Sequence, residues 1–153
     1  MENTRRLDIP GARGKVEVDG VLGLLYKVRI DGEIIKRSHG YWAIPTRKGG
    51  TAKLTSNGVL PGFQTLRLDG TPILKMGAHV QAPEKAAMFA PAVLVLWTLG
   101  WVPVGAGLAV LLFLMNVIVV KNPNMPRGLR IALPLVNTAV MAFLLTMLFG
   151  PPF

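Results

Sequence analysis

Residues 86–120 contain no charged side chain, and this uninterrupted run of 35 residues limits the possible folds more than any other feature. One straight helix of that length would measure about 52 Å at 1.5 Å per residue. The hydrocarbon core of a bilayer is only about 30 Å thick. A helix on the membrane surface needs a polar face, and residues 86–96 have none. We therefore expect the run to enter the membrane and turn back.

The expected point of reversal is the segment 100–107, which contains one proline and three glycines. Proline and glycine interrupt helices and favour turns. The sequence thus predicts a transmembrane helical hairpin with helices over 86–101 and 104–120. A third apolar segment, before Pro151 and Pro152, predicts a transmembrane helix over 131–149. Because the first two segments are short, two crossings instead of three are the alternative topology.

Basic residues near the predicted spans indicate an orientation. The loop 121–130 carries three positive charges and no negative one, and Lys75 and Lys85 precede the first span. With three spans, all of these cations lie on one side of the membrane. Because Lys and Arg are enriched in cytoplasmic flanks, we expect the loop and the amino-terminal half to face the cytoplasm. The predicted location is the cell (inner) membrane, as a multi-pass protein.

The spans contain few polar side chains. Asp, Glu, Lys, Arg and His are absent from their interiors, which argues against a proton relay or an ion-coupled transporter. Asn116 and Asn137 lie at similar depths below the basic loop. We expect them to hydrogen-bond to each other between the second and third spans. Contact with a lipid or a permeating solute is the alternative role.

The amino-terminal half differs sharply in composition. Residues 1–85 hold 14 Lys/Arg and 8 Asp/Glu, although only 16% of the whole chain is charged, against about 25% in ordinary soluble domains. Residues 1–14 are predicted to be a flexible basic segment. The segments 16–20, 28–32 and 66–70 each alternate apolar residues and end in Asp-Gly. That pattern is typical of strands joined by tight hairpin turns.

The predicted fold class is therefore an α+β membrane protein. A small antiparallel β sandwich or barrel over residues 15–83, on the cytoplasmic side, precedes the transmembrane hairpin and the third transmembrane helix. Turns are predicted at Asp31-Gly32 and at Asp69-Gly70.

A resemblance is carried by residues 26–75. The order of Val28-Arg29-Ile30-Asp31-Gly32, Arg37, Tyr41-Trp42 and the segment 62–70, ending near Lys75, resembles the compact β domain of the Fas apoptosis inhibitory molecule family. The resemblance implies an interaction or protective module that brings no catalytic residues. The membrane part of the chain departs from that family.

Motifs for chemistry are few. Ser38 and His39 are sequence neighbours, which seldom face each other, and we interpret them as an exposed turn. His79 has no second ligand at metal-binding spacing. Residues 11–15 partly match a phosphate-binding loop but lack its first glycine and its final Ser/Thr. With no cysteine in the chain, we predict no catalytic residue, no cofactor and no metal site.

The net charge of +9 is the remaining chemical feature. The cations show none of the motif order of nucleic-acid-binding folds, so nucleic acid is not an expected partner. Anionic lipid headgroups attract each Lys or Arg by about 1 kcal/mol near the surface. Headgroup or partner contacts are predicted at Lys85, Lys121, Arg127, Arg130, Arg47 and Lys48.

The expected function is non-catalytic. The chain would act as an adaptor, an assembly factor or an accessory subunit of a membrane complex, with a protein partner or a second copy in the bilayer. The alternative is a lipid- or solute-handling channel or transporter component. The two differ experimentally, because an adaptor copurifies with a different protein whereas a pore is a homo-oligomer that makes liposomes leaky.

Overall fold

A computed structural model describes residues 3–97 and 102–150. The chain divides into two compact units, Met1–Ala78 and His79–Phe153, here called the β unit and the helical unit. The class is α+β, with two small antiparallel sheets followed by helices. The strands are β1 (Thr4–Leu7), β2 (Val16–Asp19), β3 (Lys27–Ile30), β4 (Glu33–Ile34), β5 (Tyr41–Pro45), β6 (Thr51–Asn57), β7 (Thr65–Leu68) and β8 (Thr71–Lys75).

The β unit consists of two four-stranded meanders. One sheet has the order β1-β2-β3-β4 and the other β5-β6-β7-β8, and all neighbouring strands are antiparallel. Alternate side chains of the strands point inward, as period-two sequences require. Both sheets contribute to one apolar core, which includes Val18 and Val28 from the first sheet and Ile44, Leu54 and Leu66 from the second.

The two sheets contain a structural repeat with a spacing of 38 residues. Val16 pairs with Ile30 in the first sheet, and Leu54 pairs with Leu68 in the second. The hairpins that follow also share their register, because Ile30 pairs with Glu33 and Leu68 with Thr71. Strands β2–β4 therefore pair in the same way as strands β6–β8. The one difference is a register shift at Leu66/Arg67 in the second sheet.

The two Asp-Gly pairs form equivalent two-residue turns. Asp31 and Asp69 adopt φ values of 50° and 46°, and the glycines that follow them have φ values of 89° and 88°. Each carboxylate also accepts a backbone N–H bond, from Lys15 at 2.7 Å and from Lys53 at 2.9 Å. Aspartate tolerates the left-handed conformation, and its carboxylate joins the turn to a neighbouring strand.

The amino-terminal segment differs from the sequence prediction. The sequence predicts a flexible segment over residues 1–14, but β1 pairs with β2 along its whole length. Leu7 and Ile9 belong to the buried core, with exposures of 6% and 7%. Burial of these two side chains favours the ordered strand, and the β unit begins at β1 instead of at residue 15. Asp19-Gly20 also forms no two-residue turn, since Asp19 pairs with Lys27 across a longer loop.

The helical unit contains α1 (Ala82–Met88), α2 (Ala92–Trp97), α3 (Val102–Lys121) and α4 (Arg127–Phe149). The sequence predicts one helix over 86–101, whereas the structure has two helices there. The interruption spans residues 89–91, where Pro91 lacks the N–H that would continue the ladder. Residues 98–101, which include the end of the predicted first helix and the start of the predicted reversal at 100–107, lie outside the described residues.

The loop between α3 and α4 is shorter than predicted. The sequence assigns residues 121–130 to it, but Lys121 ends α3 and Arg127 begins α4. The connection is thus residues 122–126, stabilised by a bond from the Asn124 N–H to the Asn122 side-chain oxygen at 3.0 Å.

One helix in the described part of the chain, α4, is long and apolar enough to cross a membrane. The described apolar part of α3, Gly105–Lys121, is shorter. A small apolar cluster joins α2, α3 and α4 through Leu94, Ala109, Leu112 and Leu145.

Candidate functional site

The strongest polar feature of the helical unit is Glu84, a carboxylate that is only 1% exposed. It sits in the first turn of α1, where its Oε2 accepts a hydrogen bond from the Gln81 N–H at 2.5 Å. This is half of a capping box, in which an acidic side chain at the third helical position satisfies a backbone N–H at the helix start. The cap explains why Glu84 turns back towards the protein.

Arg130, from the first turns of α4, reaches the same carboxylate. Its Nη1 lies 3.4 Å from Glu84 Oε1. Its Nε donates to the Met125 carbonyl at 2.9 Å, and its Nη2 donates to the Pro123 carbonyl at 3.2 Å. The guanidinium therefore joins α1, the 122–126 loop and α4, and Glu84 and Arg130 are here called the Glu84–Arg130 pair.

A second contact joins the segment before α1 to the end of α3. The His79 Nε2 is 3.1 Å from the Lys121 carbonyl at the end of α3. Lys121 itself is fully buried. The segment before α1 is thus attached to the α3 terminus as well as to α4.

These positions alter the predicted headgroup contacts. Lys121 is buried, and the Arg130 side chain is 13% exposed and engaged with protein atoms. The Arg130 guanidinium is engaged with Glu84 and with the Pro123 and Met125 carbonyls, whereas the burial of Lys121 removes its side chain from the described surface. Lys85 is half-buried and Arg127 is exposed. In the β unit, Arg47 and Lys48 are both exposed.

The predicted Asn116–Asn137 hydrogen bond is not formed. Asn116 is fully buried, and neither its Oδ1 nor its Nδ2 has a hydrogen-bond partner among residues 3–97 and 102–150. On α4 the buried polar residue is Thr138, whose hydroxyl donates to the Pro134 carbonyl at 2.8 Å. Adjacent residues are about 100° apart around a helix of 3.6 residues per turn. Asn137 therefore does not share the buried direction of its neighbour Thr138, and it is half-buried. An unsatisfied amide therefore remains inside the bundle.

The exposed turn predicted at Ser38 and His39 is confirmed, although the two side chains, unlike most sequence neighbours, contact each other. The Ser38 Oγ lies 2.9 Å from the His39 Nδ1. His39 has a φ of 51° in a turn closed by the bridge between Ser38 and Tyr41, and this backbone brings the neighbouring side chains together. Among the described residues, no hydrogen bond or ion pair orients the other ring nitrogen of this exposed histidine. The pair lacks the third group that a catalytic triad requires.

Sequence reasoning did not identify Glu84 as a site residue. The signal was present, because Gln81 and Glu84 have the three-residue spacing of a capping box before an apolar run. The pairing with Arg130 joins residues 46 positions apart, and local patterns contain no information about such a contact.

Comparison with protein-family models, with curated proteins and with solved structures finds no match for this chain. The resemblance of residues 26–75 to the Fas apoptosis inhibitory molecule family stays a prediction.

Proposed function

We propose that this protein is a multi-pass membrane protein whose helical unit anchors the β unit at the cytoplasmic face of the cell membrane. The observation that carries the proposal is the exposed apolar surface of α3 and α4. Soluble proteins rarely expose continuous apolar patches larger than a few hundred Å², whereas lipid covers such a surface without cost. The large apolar residues exposed on these two helices include Val110, Leu111, Met115, Ile118, Leu135, Val136, Val140, Phe143, Leu144, Met147 and Leu148.

The positive charges favour the proposed orientation, in which the chain crosses the membrane three times. The loop-side ends of α3 and α4 carry Lys121, Arg127 and Arg130, and Lys85 lies in α1. The opposite end of α4 has no basic residue in its last turn. The positive-inside tendency favours a cytoplasmic loop and a cytoplasmic β unit, with the end of α4 on the far side.

The proposed role is that of an adaptor, an assembly factor or an accessory subunit of a membrane complex. The β unit supports it as a compact module with its own core. The alternative, a lipid- or solute-handling channel or transporter component, is favoured by one observation, the unpaired buried amide of Asn116.

Reporter fusions test the topology. A reporter after Phe153 is expected to be active outside the cytoplasm, and one before Met1 inside it. The full chain should also stay in the membrane pellet after an alkaline carbonate wash. Release by the wash contradicts the membrane proposal, and both reporters on the same side exclude three crossings.

Copurification and leakage distinguish the two roles. If the detergent-solubilised protein copurifies with one different protein in fixed stoichiometry, this result supports the adaptor role. A homo-oligomer that makes liposomes leaky supports the channel, and the leak should disappear in the Asn116→Leu variant.

A further inference from the structure

The β unit contains a cavity of about 250 Å³ beside the loop between β1 and β2. Three cationic residues line it, Arg6, Lys15 and Arg47, together with one carboxylate residue, Asp8. The rest of its wall comes from Leu7, residues 9–12, Gly14 and Val16. The cavity is therefore a cationic recess built largely on one loop.

Backbone hydrogen bonds fix two of the cationic residues at this loop. The Arg47 N–H donates to the Gly11 carbonyl at 2.8 Å, and the Arg13 N–H donates to the Pro45 carbonyl at 2.8 Å. These two bonds join the β1–β2 loop to the β5–β6 loop, so that Arg47 is held beside a segment 36 residues away. The Lys15 N–H is fixed by the Asp31 carboxylate at 2.7 Å.

Glycine shapes the loop at Gly14. This residue has a φ of 105°, and a Cβ placed on it would collide with the Asp31 carboxylate and approach the Ile30 side chain. The loop can therefore pass close to the β3–β4 turn only with glycine at this position. This close approach lies next to Lys15, which lines the cavity.

We propose that this recess binds a phosphate group. Arginine presents planar donors that match phosphate oxygens in a bidentate arrangement, and lysine adds a point charge. Lys15 contributes little to the positive charge of the recess, because its Nζ pairs with Glu17 at 2.6 Å and its N–H donates to the Asp31 carboxylate. Arg6 and Arg47 belong to no ion pair among the described residues, so these two arginines supply the charge that would hold an anion beside Asp8.

The size of the recess limits the ligand. Pockets for drug-sized ligands measure about 300–1,000 Å³, so this cavity suits a small phosphate anion better than a nucleotide. The shared chemistry is a phosphate monoester or diester, from either inorganic phosphate or a phospholipid headgroup. The site lies entirely within the β unit, and the proposal does not depend on the membrane topology proposed above.

The test uses the full chain in a neutral maltoside detergent. Two probes are titrated separately, inorganic phosphate and water-soluble dihexanoyl phosphatidylglycerol, and binding is followed by phosphorus NMR and calorimetry. The variant Arg6→Gln/Arg47→Gln removes two lining cations. The matched control Arg5→Gln/Lys36→Gln removes the same charge from two exposed residues that do not line the cavity.

We expect at least one probe to bind the wild-type chain, and its affinity to fall at least about tenfold in the Arg6→Gln/Arg47→Gln variant. The control should bind within about twofold of the wild type. Binding of phosphate alone assigns the site to a soluble anion, and preference for the phosphatidylglycerol probe assigns it to a headgroup. Binding of neither probe, or an equal loss in the control, overturns the proposal. Circular dichroism of both variants checks that the fold is retained.

Discussion

Glu84 and Arg130 form an ion pair between α1 and α4, with 3.4 Å between Oε1 and Nη1 and side-chain exposures of 2% and 13%. The carboxylate also caps α1, and the guanidinium binds two carbonyls of the 122–126 loop. Each partner therefore has further hydrogen bonds that offset the cost of burying its charge. The pair attaches the short helix α1 to the start of α4.

Removal of the guanidinium should destabilise the helical unit. Arg130→Ala leaves the Glu84 carboxylate buried without its counter-charge, and such changes cost about 3–5 kcal/mol. The measurement is the free energy of unfolding of the full chain in mixed micelles. Arg127→Ala is the matched control, because it removes an exposed cation from the first turn of the same helix and should cost less than about 0.5 kcal/mol. Equal effects of the two variants would contradict a structural role for the pair.

The Asp-Gly turns should depend on the carboxylate at Asp31 and Asp69. Alanine at either position loses the bond to the Lys15 or Lys53 N–H and must adopt a left-handed backbone. We expect Asp31→Ala and Asp69→Ala each to cost about 2–4 kcal/mol. Asparagine tolerates this backbone, so the corresponding Asn variants should cost less than about 1 kcal/mol. Hydrogen exchange of the strand amides in the β unit measures the difference, and identical exchange in the Ala and Asn variants would refute this account.

Part of the fold can be predicted from local sequence. Apolar alternation followed by Asp-Gly identifies the hairpins at 31–32 and 69–70, since only a few residues accept the required backbone. The loop after Asp19 is different, although its sequence is similar. Its residues Val21 and Tyr26 contact the shared core, and a long-range packing preference of this kind overrides the local turn signal.

The candidate site was less predictable. Charge patterns correctly mark Lys121 and Arg130 as a basic cluster in the sequence, but they cannot show that both side chains turn inward. For Arg130, the inward orientation depends on Glu84 and on the Pro123 and Met125 carbonyls of the 122–126 loop. Asn116 and Asn137 lie at similar distances from the basic loop along the sequence. The orientation of α4 about its axis nevertheless brings Thr138, and not Asn137, to the buried side.

The exposed face of α4 gives a test of lipid contact. Val140 lies near the middle of this helix and is 53% exposed. Arginine at the centre of a span costs about 2.5–3.5 kcal/mol on insertion scales, and the cost falls towards the ends. In a fraction of Val140→Arg molecules, α4 should therefore fail to insert, and the carboxy-terminal reporter should lie on the cytoplasmic side. Leu129→Arg, at the loop-side end, should leave the distribution unchanged, and the same reporter distribution for both variants would argue against α4 as a span.

The unpaired amide of Asn116 predicts a stabilising substitution. Both of its polar atoms are buried without a hydrogen bond, and leaving such atoms unsatisfied costs about 1–3 kcal/mol. Leucine has a similar size and no polar atoms, so Asn116→Leu should raise the free energy of unfolding by about that amount. Asn137→Leu, at a half-buried position, should have a smaller effect, which unfolding in mixed micelles can measure. Destabilisation by Asn116→Leu would mean that the amide has a partner in the membrane, and it would move support from the adaptor to the channel or to an oligomer built around this residue.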